Sequence, residues 1–185
     1  NAVSFGADLF LIDAGWYTPV GGSWGAVGDW EVNAERYPDG LAPFRERCHS
    51  NGLLFGVWME PERAGENSRV AREHPDWLAV SYDGQSPYRG LVDLTIPEAA
   101  QWVEGQIAHL IESHELDFYR LDWNVGGLGA GTKSSRHGYI ENGYWRYCEA
   151  VYGMYERLRR RFPDVIFENC ASGGGRTDLG HVRSF

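Results

Sequence analysis

The chain has no surplus of positive charge and no long apolar run. Its 17 lysine and arginine residues are outnumbered by 26 aspartate and glutamate residues, which gives a net charge of −9. Nucleic-acid-binding domains usually carry a basic surface, so this balance argues against a nucleic-acid partner. No apolar segment approaches the length of a membrane span, and the first residues show no signal-peptide pattern. We therefore expect no membrane partner and a cytoplasmic location.

Cysteine and histidine are scarce and are not arranged as ligands. The three cysteines, Cys48, Cys148 and Cys170, are an odd number without metal-binding spacing. They do not indicate a disulfide framework and fit a reducing compartment. The six histidines form no His-x-His or His-Glu-x-x-His pair. The sequence therefore predicts neither a metal site nor a cofactor.

Aromatic residues are abundant, at 14% of the chain with 8 tryptophans. Many of them stand beside polar residues at the ends of apolar segments, where an indole can stack on the apolar face of a sugar ring. The alternative is that these tryptophans fill the core. Four short apolar segments, each rich in β-branched or aromatic residues, include or lead into a carboxylate near their end: 9–13, 53–60, 118–124 and 165–170.

These segments read as buried parallel strands separated by helices, which predicts an α/β fold. We expect strands at 9–13, 53–59, 91–94, 118–122 and 165–169, and helices at 41–50, 66–73, 97–113 and 143–162. Long glycine-rich loops are expected at 14–40 and 126–131. Acids at several strand ends are typical of a (β/α)8 TIM barrel, which needs about 250 residues. The sequence thus predicts an incomplete barrel with about five strands.

Asp122 is the leading candidate for a catalytic residue. It follows a rigid strand, and Arg120 lies two residues earlier on the same side of that strand. A guanidinium there would keep the carboxylate ionised, as the nucleophile of a glycosidase requires. The alternative is a structural aspartate that pairs with Arg120.

Other strand ends supply candidate ligands for a sugar. Asp13 can accept hydrogen bonds from hydroxyl groups while Trp16 covers the ring, or it can simply cap the following turn. Trp58 and Glu60 face one side of their strand, and Glu60 serves either a ligand or a loop. Arg89 can reach a ligand hydroxyl, although exposed arginines are common.

The segment Gly173-Gly174-Gly175-Arg176 superficially resembles a phosphate cradle. It lacks the lysine and hydroxyl residue of a P-loop and the Gly-x-Gly-x-x-Gly spacing. Three glycines after a strand more readily let backbone amides approach a ligand. Cys170 has no obvious histidine partner that would make it a nucleophile.

Taken in order, several segments resemble motifs of the family 36 glycoside hydrolases, the melibiase-type alpha-galactosidases. Arg120-Leu121-Asp122-Trp123-Asn124 resembles the family's Lys-Trp-Asp-Met-Asn, whose aspartate is the nucleophile. The other matching segments are Asp13-Ala14-Gly15-Trp16, Gly28-Asp29-Trp30, Gly56 to Glu62, His74-Pro75-Asp76-Trp77, Arg89 with Leu91-Val92-Asp93-Leu94, and Cys170 to Arg176 with Asp178.

This resemblance implies a retaining glycosidase that cleaves terminal alpha-galactosides through a covalent glycosyl-enzyme on Asp122. It implies a carbohydrate substrate and no cofactor, and it leaves open whether the full-length protein is a homo-oligomer. Residues 1–185 would be the central portion of the catalytic barrel, with the last strands and β-rich flanking domains elsewhere, and the general acid/base beyond Phe185. The residues expected to hold the sugar are Asp13, Trp16, Trp58, Arg89, Arg120, Asn124, Cys170 and Gly173.

Two positions depart from the family pattern. Ala14 replaces an aspartate that contacts galactose hydroxyls, and Arg120 replaces a lysine. Because a lost hydrogen-bond acceptor redirects recognition, an alpha-N-acetylgalactosaminide is an open alternative to an alpha-galactoside. A transferase similar to raffinose synthase and a non-catalytic carbohydrate-binding protein are two further hypotheses for this chain.

Overall fold

A parallel sheet of four strands forms the centre of the computed structural model, which describes residues 2–17, 24–80, 89–125, 133–136 and 139–185. In the order β1-β2-β3-β6, the strands are Leu9–Ile12, Leu54–Met59, Phe118–Leu121 and Ile166–Asn169. Val57 and Met59 on one face of β2 and Trp58 on the other are all buried, as expected for a central strand covered on both faces. Because the strands are parallel, their carboxyl ends meet along one edge of the sheet. The predicted α/β class is confirmed.

Helices connect these strands. They are α1 (Ala42–His49), α2 (Arg69–Glu73), α3 (Pro97–His114), α4 (Gly143–Arg161) and a short turn α5 (Ala171–Gly174). Helix α3 begins with a proline in its first turn and ends before Glu115, which adopts a left-handed conformation with φ of 47°. Val103 and Ile107 lie on its buried stripe. Short 3-10 helices span Val3–Phe5, Trp24–Ala26, Pro75–Trp77 and His181–Arg183.

The strand predicted at 91–94 is absent from the sheet, so the described sheet has four strands where about five were expected. Leu91 and Val92 instead form isolated antiparallel bridges with Arg63 and Leu78. The buried Leu91 and Val92 thus look like a strand in the sequence but pair with the segments that follow β2 and α2.

A hairpin of β4 (Lys133–Arg136) and β5 (Tyr139–Asn142) was not expected from the sequence. The sequence of β4, Lys-Ser-Ser-Arg, contains none of the β-branched or aromatic residues that favour strands, so it did not predict a strand there. The predicted loop at 126–131 and part of the loop at 14–40 lie outside the described residues. Within the described ranges, no helix has both the length and the apolar character needed to cross a membrane.

Candidate active site

Asp122 stands immediately after β3, at the carboxyl edge of the sheet. Its backbone amide donates to the carbonyl oxygen of Met59 at 2.8 Å, which extends the pairing between β2 and β3 by one residue. The residue is 8% exposed. Its carboxylate is therefore held by a rigid backbone at the carboxyl ends of the strands and is largely buried.

Four donors surround the carboxylate of Asp122. Oδ1 accepts from the backbone amides of Trp123 at 2.8 Å and Ser172 at 2.7 Å. Oδ2 accepts from Nδ2 of Asn124 at 2.7 Å and from Nε1 of Trp58 at 3.1 Å. Burial by itself raises the pKa of Asp122, but these four hydrogen bonds outweigh it and leave the pKa below its ordinary value. The group is thus ionised at neutral pH.

Arg120 does not act as the sequence suggested, either as the cation that ionises Asp122 or as its structural partner. Its guanidinium pairs with Glu168 on β6, where Nε lies 2.6 Å from Oε2, and with Asp13 after β1, where Nη1 lies 3.2 Å from Oδ2. Arg120 and Glu168 are direct neighbours in the register of β3 and β6. Neutral donors, rather than this cation, keep Asp122 ionised.

Glu60 anchors the segment after β3. Of the two roles that the sequence left open for Glu60, this is the loop contact and not the ligand contact. Its fully buried carboxylate accepts from the backbone amide of Asn124 at 2.5 Å and lies 3.6 Å from Nη1 of Arg63. Burial raises the pKa of Glu60, and these contacts offset only part of that effect. Nδ2 of Asn124 lies 3.4 Å from Glu60 and 2.7 Å from Asp122, so Asn124 links the two carboxylates.

Trp16 and Trp58 are buried in an aromatic cluster behind the strand ends. Nε1 of Trp16 donates to the carbonyl oxygen of Trp58 at 2.7 Å, and its ring lies 6.0 Å from that of Trp30. Trp16 is 0% exposed, so in this structure it offers no open face to a sugar ring, and its direct contact with substrate stays a prediction. Trp24, which the sequence did not single out, is 46% exposed beside Trp58.

The glycine-rich segment forms a tight turn at the site. Ala171, Ser172 and Gly173 have φ values of 41°, 57° and 83°, a conformation that aims the Ser172 amide at Asp122. A Cβ atom at Gly173 would meet no atom of the described residues within 4 Å, so this side of the turn is open with respect to them. Cys170, half-buried, joins the turn to β3 through its amide, which donates to the Leu121 carbonyl at 2.9 Å.

Arg176, the end of this segment, turns into the protein. Nη1 and Nη2 each lie 2.6 Å from an oxygen of the fully buried Glu62, and the guanidinium stacks 3.9 Å from the ring centre of Trp123. The hydroxyl of Tyr147 also donates to Glu62. Arg176 therefore anchors the end of the turn to the buried Glu62 and Trp123, and its guanidinium is not placed to hold a ligand.

Arg89 lies at the far side of the site. It is exposed, has a φ of 49°, and donates from Nη1 to the carbonyl oxygen of Val125 at 3.0 Å. It lines a cavity of about 690 Å³ together with Trp24, Arg63, Glu66 and Leu78. Trp24 in the lining of this cavity contacts the ring of Trp58, which donates to Asp122, so the cavity adjoins the site.

The structure places Trp58, Asn124 and the 171–174 turn around Asp122, and it places Asp13 and Cys170 near Arg120. Sequence reasoning missed Glu168 as a site residue. Its position at a strand end was the available signal, but only the register with β3 shows that it meets Arg120.

Comparison with known proteins gives a consistent result. A family model described as Melibiase matches residues 1–185. The chain is 35% identical over 183 residues to an alpha-galactosidase from Escherichia coli, covering 97% of this chain and 25% of that protein. It is 34% identical over 184 residues to the bifunctional alpha-galactosidase/sucrose kinase AgaSK from Mediterraneibacter gnavus, covering 97% of this chain and 19% of that protein.

Solved structures show the same likeness. A variant of the GH36 alpha-galactosidase AgaA from Geobacillus stearothermophilus, in complex with raffinose, superposes with a TM-score of 0.88 at 27% identity, covering 100% of this chain and 26% of that chain. An alpha-galactosidase from Lactobacillus brevis gives a TM-score of 0.83 at 33% identity, covering 99% and 25%. The chain thus spans about a quarter of the length of most of these relatives.

Proposed function

This chain belongs to the melibiase family, as its sequence motifs suggested, and from that premise we propose that it supplies the nucleophile half of the active site of an alpha-galactoside hydrolase. The chain spans about a quarter of its relatives, so we further propose that it is the central portion of a (β/α)8 barrel. Among the described residues, no strand pairs with the outer edges of β1 and β6, which supports this, since further barrel strands would pair there.

The observation that carries the proposal is the environment of Asp122. A glycosidic nucleophile must be ionised, rigidly held and placed at the open edge of the strands. Asp122 has a lowered pKa, four hydrogen-bond donors and a backbone locked to Met59. In the proposed reaction, one oxygen attacks the anomeric carbon, the bond to the leaving group breaks, and a covalent glycosyl-enzyme forms.

A second displacement by water would release the sugar with its original configuration. This step needs a general acid/base, which we expect from a segment outside residues 1–185. The proposed acid/base protonates the leaving oxygen first and then takes a proton from the attacking water.

The sugar would be held by polar groups that border Asp122. Asp13 is 62% exposed at its side chain and Arg120 28%, so both can reach hydroxyl groups. The open side of Gly173 leaves room for a ring next to the turn. Among the other expected contacts, Asn124 and Trp58 already bond to the nucleophile, Cys170 lies near Arg120, and Arg89 stands at the adjoining cavity.

The test is turnover of an aryl alpha-galactoside and an aryl alpha-N-acetylgalactosaminide by the intact protein that contains this chain. We expect Asp122→Asn to lower kcat by at least about a thousandfold on whichever substrate is cleaved. Asp117→Asn is the matched control, because Asp117 precedes the same strand at its opposite end and accepts from the Phe55 amide. Proton NMR should show that the first sugar released is the alpha anomer.

Three results would contradict the proposal. Activity that survives Asp122→Asn would remove the nucleophile assignment. A first product of beta configuration would exclude the double displacement. No turnover of either substrate by the unaltered protein would favour another alpha-glycoside or carbohydrate binding without catalysis.

A further inference from the structure

Arg120 is the central member of a row of side chains that crosses the sheet one level before Asp122. Its neighbours in register are Trp58 on β2 and Glu168 on β6, and it also contacts Asp13 after β1. Side chains at such register positions point to the same face of a sheet. The side chains of Trp58, Arg120 and Glu168 therefore lie on the same face of the sheet as the proposed sugar-binding groups.

The contact between Arg120 and Glu168 is a two-pronged one. Nε lies 2.6 Å from Oε2, and Nη2 lies 3.1 Å from Oε1. Two parallel bonds of this kind fix the plane of a guanidinium, where a single bond would leave it free to rotate. The remaining nitrogen, Nη1, donates to Oδ2 of Asp13 at 3.2 Å.

We propose that Glu168 is a positioning residue, which holds the guanidinium of Arg120 beside Asp13 and away from Asp122. This inference rests on the proposed function. Asp122 follows Arg120 by two residues and continues the line of β3, so a freely rotating guanidinium is within reach of the nucleophile. A direct ion pair there would occupy the oxygen that has to attack the anomeric carbon. Glu168 prevents it by engaging two of the three guanidinium nitrogens.

The arrangement also explains why arginine suits this position. A lysine ammonium is a single charged point and cannot present a fixed fork to Glu168 while a third nitrogen contacts Asp13. Side-chain exposure of 28% for Arg120 and 35% for Glu168 leaves the pair accessible to a ligand from the open side. Glu168 therefore sets the direction of a sugar contact without having to touch the sugar.

The experiment compares Glu168→Gln with Glu104→Gln in the intact protein. Glu104 makes an equivalent two-pronged contact with Arg157 between α3 and α4, outside the site: Nε lies 3.2 Å from Oε1, and Nη2 lies 2.6 Å from Oε2. We expect Glu168→Gln to lower kcat/KM on the cleaved aryl alpha-glycoside by about tenfold or more, and Glu104→Gln to change it by less than about twofold. Both variants should melt within a few degrees of the unaltered protein.

A second pair of variants separates positioning from a merely structural role. In an Arg120→Met background, Glu168→Gln should cause no further loss beyond about twofold, because the residue that it positions is gone. Losses that multiply would show that Glu168 acts on something else and would overturn the inference. Equal effects of Glu168→Gln and Glu104→Gln in an active protein would overturn it too. If the unaltered protein is inactive, the proposed function fails instead.

Discussion

Removal of the Asn124 amide is expected to move the acid limb of the pH–rate profile to higher pH. Nδ2 of Asn124 donates to Oδ2 of Asp122 at 2.7 Å, among the shortest of the four hydrogen bonds to that carboxylate. Such a bond favours the ionised form, so its loss raises the pKa of Asp122. In Asn124→Ala, the nucleophile is then protonated over a wider range of acidic pH.

The size of this effect follows from the contact. A hydrogen bond to a charged group contributes about 1.5–3 kcal/mol. Asn124 is exposed, so water partly replaces the lost donor, and the lower end of that range applies. About 1.4 kcal/mol corresponds to one pH unit. The acid limb should therefore rise by about one pH unit, while the rate at its plateau falls by less than about tenfold.

The assay is kcat/KM of the intact protein as a function of pH, since this quantity reports ionisation in the free enzyme. Asn51→Ala is the control, because Asn51 is exposed and donates to Arg47 at the end of α1. Circular dichroism at each pH shows whether both variants stay folded. An acid limb that stays in place or moves to lower pH in Asn124→Ala would refute the idea that this amide helps to ionise Asp122.

Two further predictions concern stability. Arg176→Met leaves the buried Glu62 carboxylate without its cation, so it should lower the free energy of unfolding by about 3–5 kcal/mol in urea titrations; a loss below about 1 kcal/mol would contradict this. Burial raises the pKa of Asp178, but hydrogen bonds from His181 and Tyr152 outweigh it and lower the pKa to about 2. A lowered pKa stabilises the fold above the ordinary value, and this is lost as pH falls through the lowered one. Asp178→Asn should therefore melt below the unaltered protein at about pH 6, with a difference that shrinks towards about pH 2. A difference independent of pH would exclude this linkage.

The sequence predicted most of the parallel strands and the long helix correctly, because apolar segments and helix boundaries are encoded by residues close together in the chain. The strands at Leu9–Ile12, Leu54–Met59 and Phe118–Leu121 and the helix Pro97–His114 lie within two residues of their expected ranges. The strand expected at 91–94 was wrong because burial, not sheet pairing, accounts for its apolar pattern. Local patterns report whether a segment is buried but not which segment it pairs with.

The same distinction separates what the sequence and the tertiary structure determined at the site. The sequence alone placed Asp122 at the end of a rigid strand and Arg120 on the same side. Only the register of β3 with β6 decided that Arg120 meets Glu168, and only the turn after β6 brought the Ser172 amide to Asp122. The reason is physical. The alternation of a strand fixes the face of each side chain, whereas its partner lies about 4.8 Å away on another strand that the chain reaches only after a helical crossover.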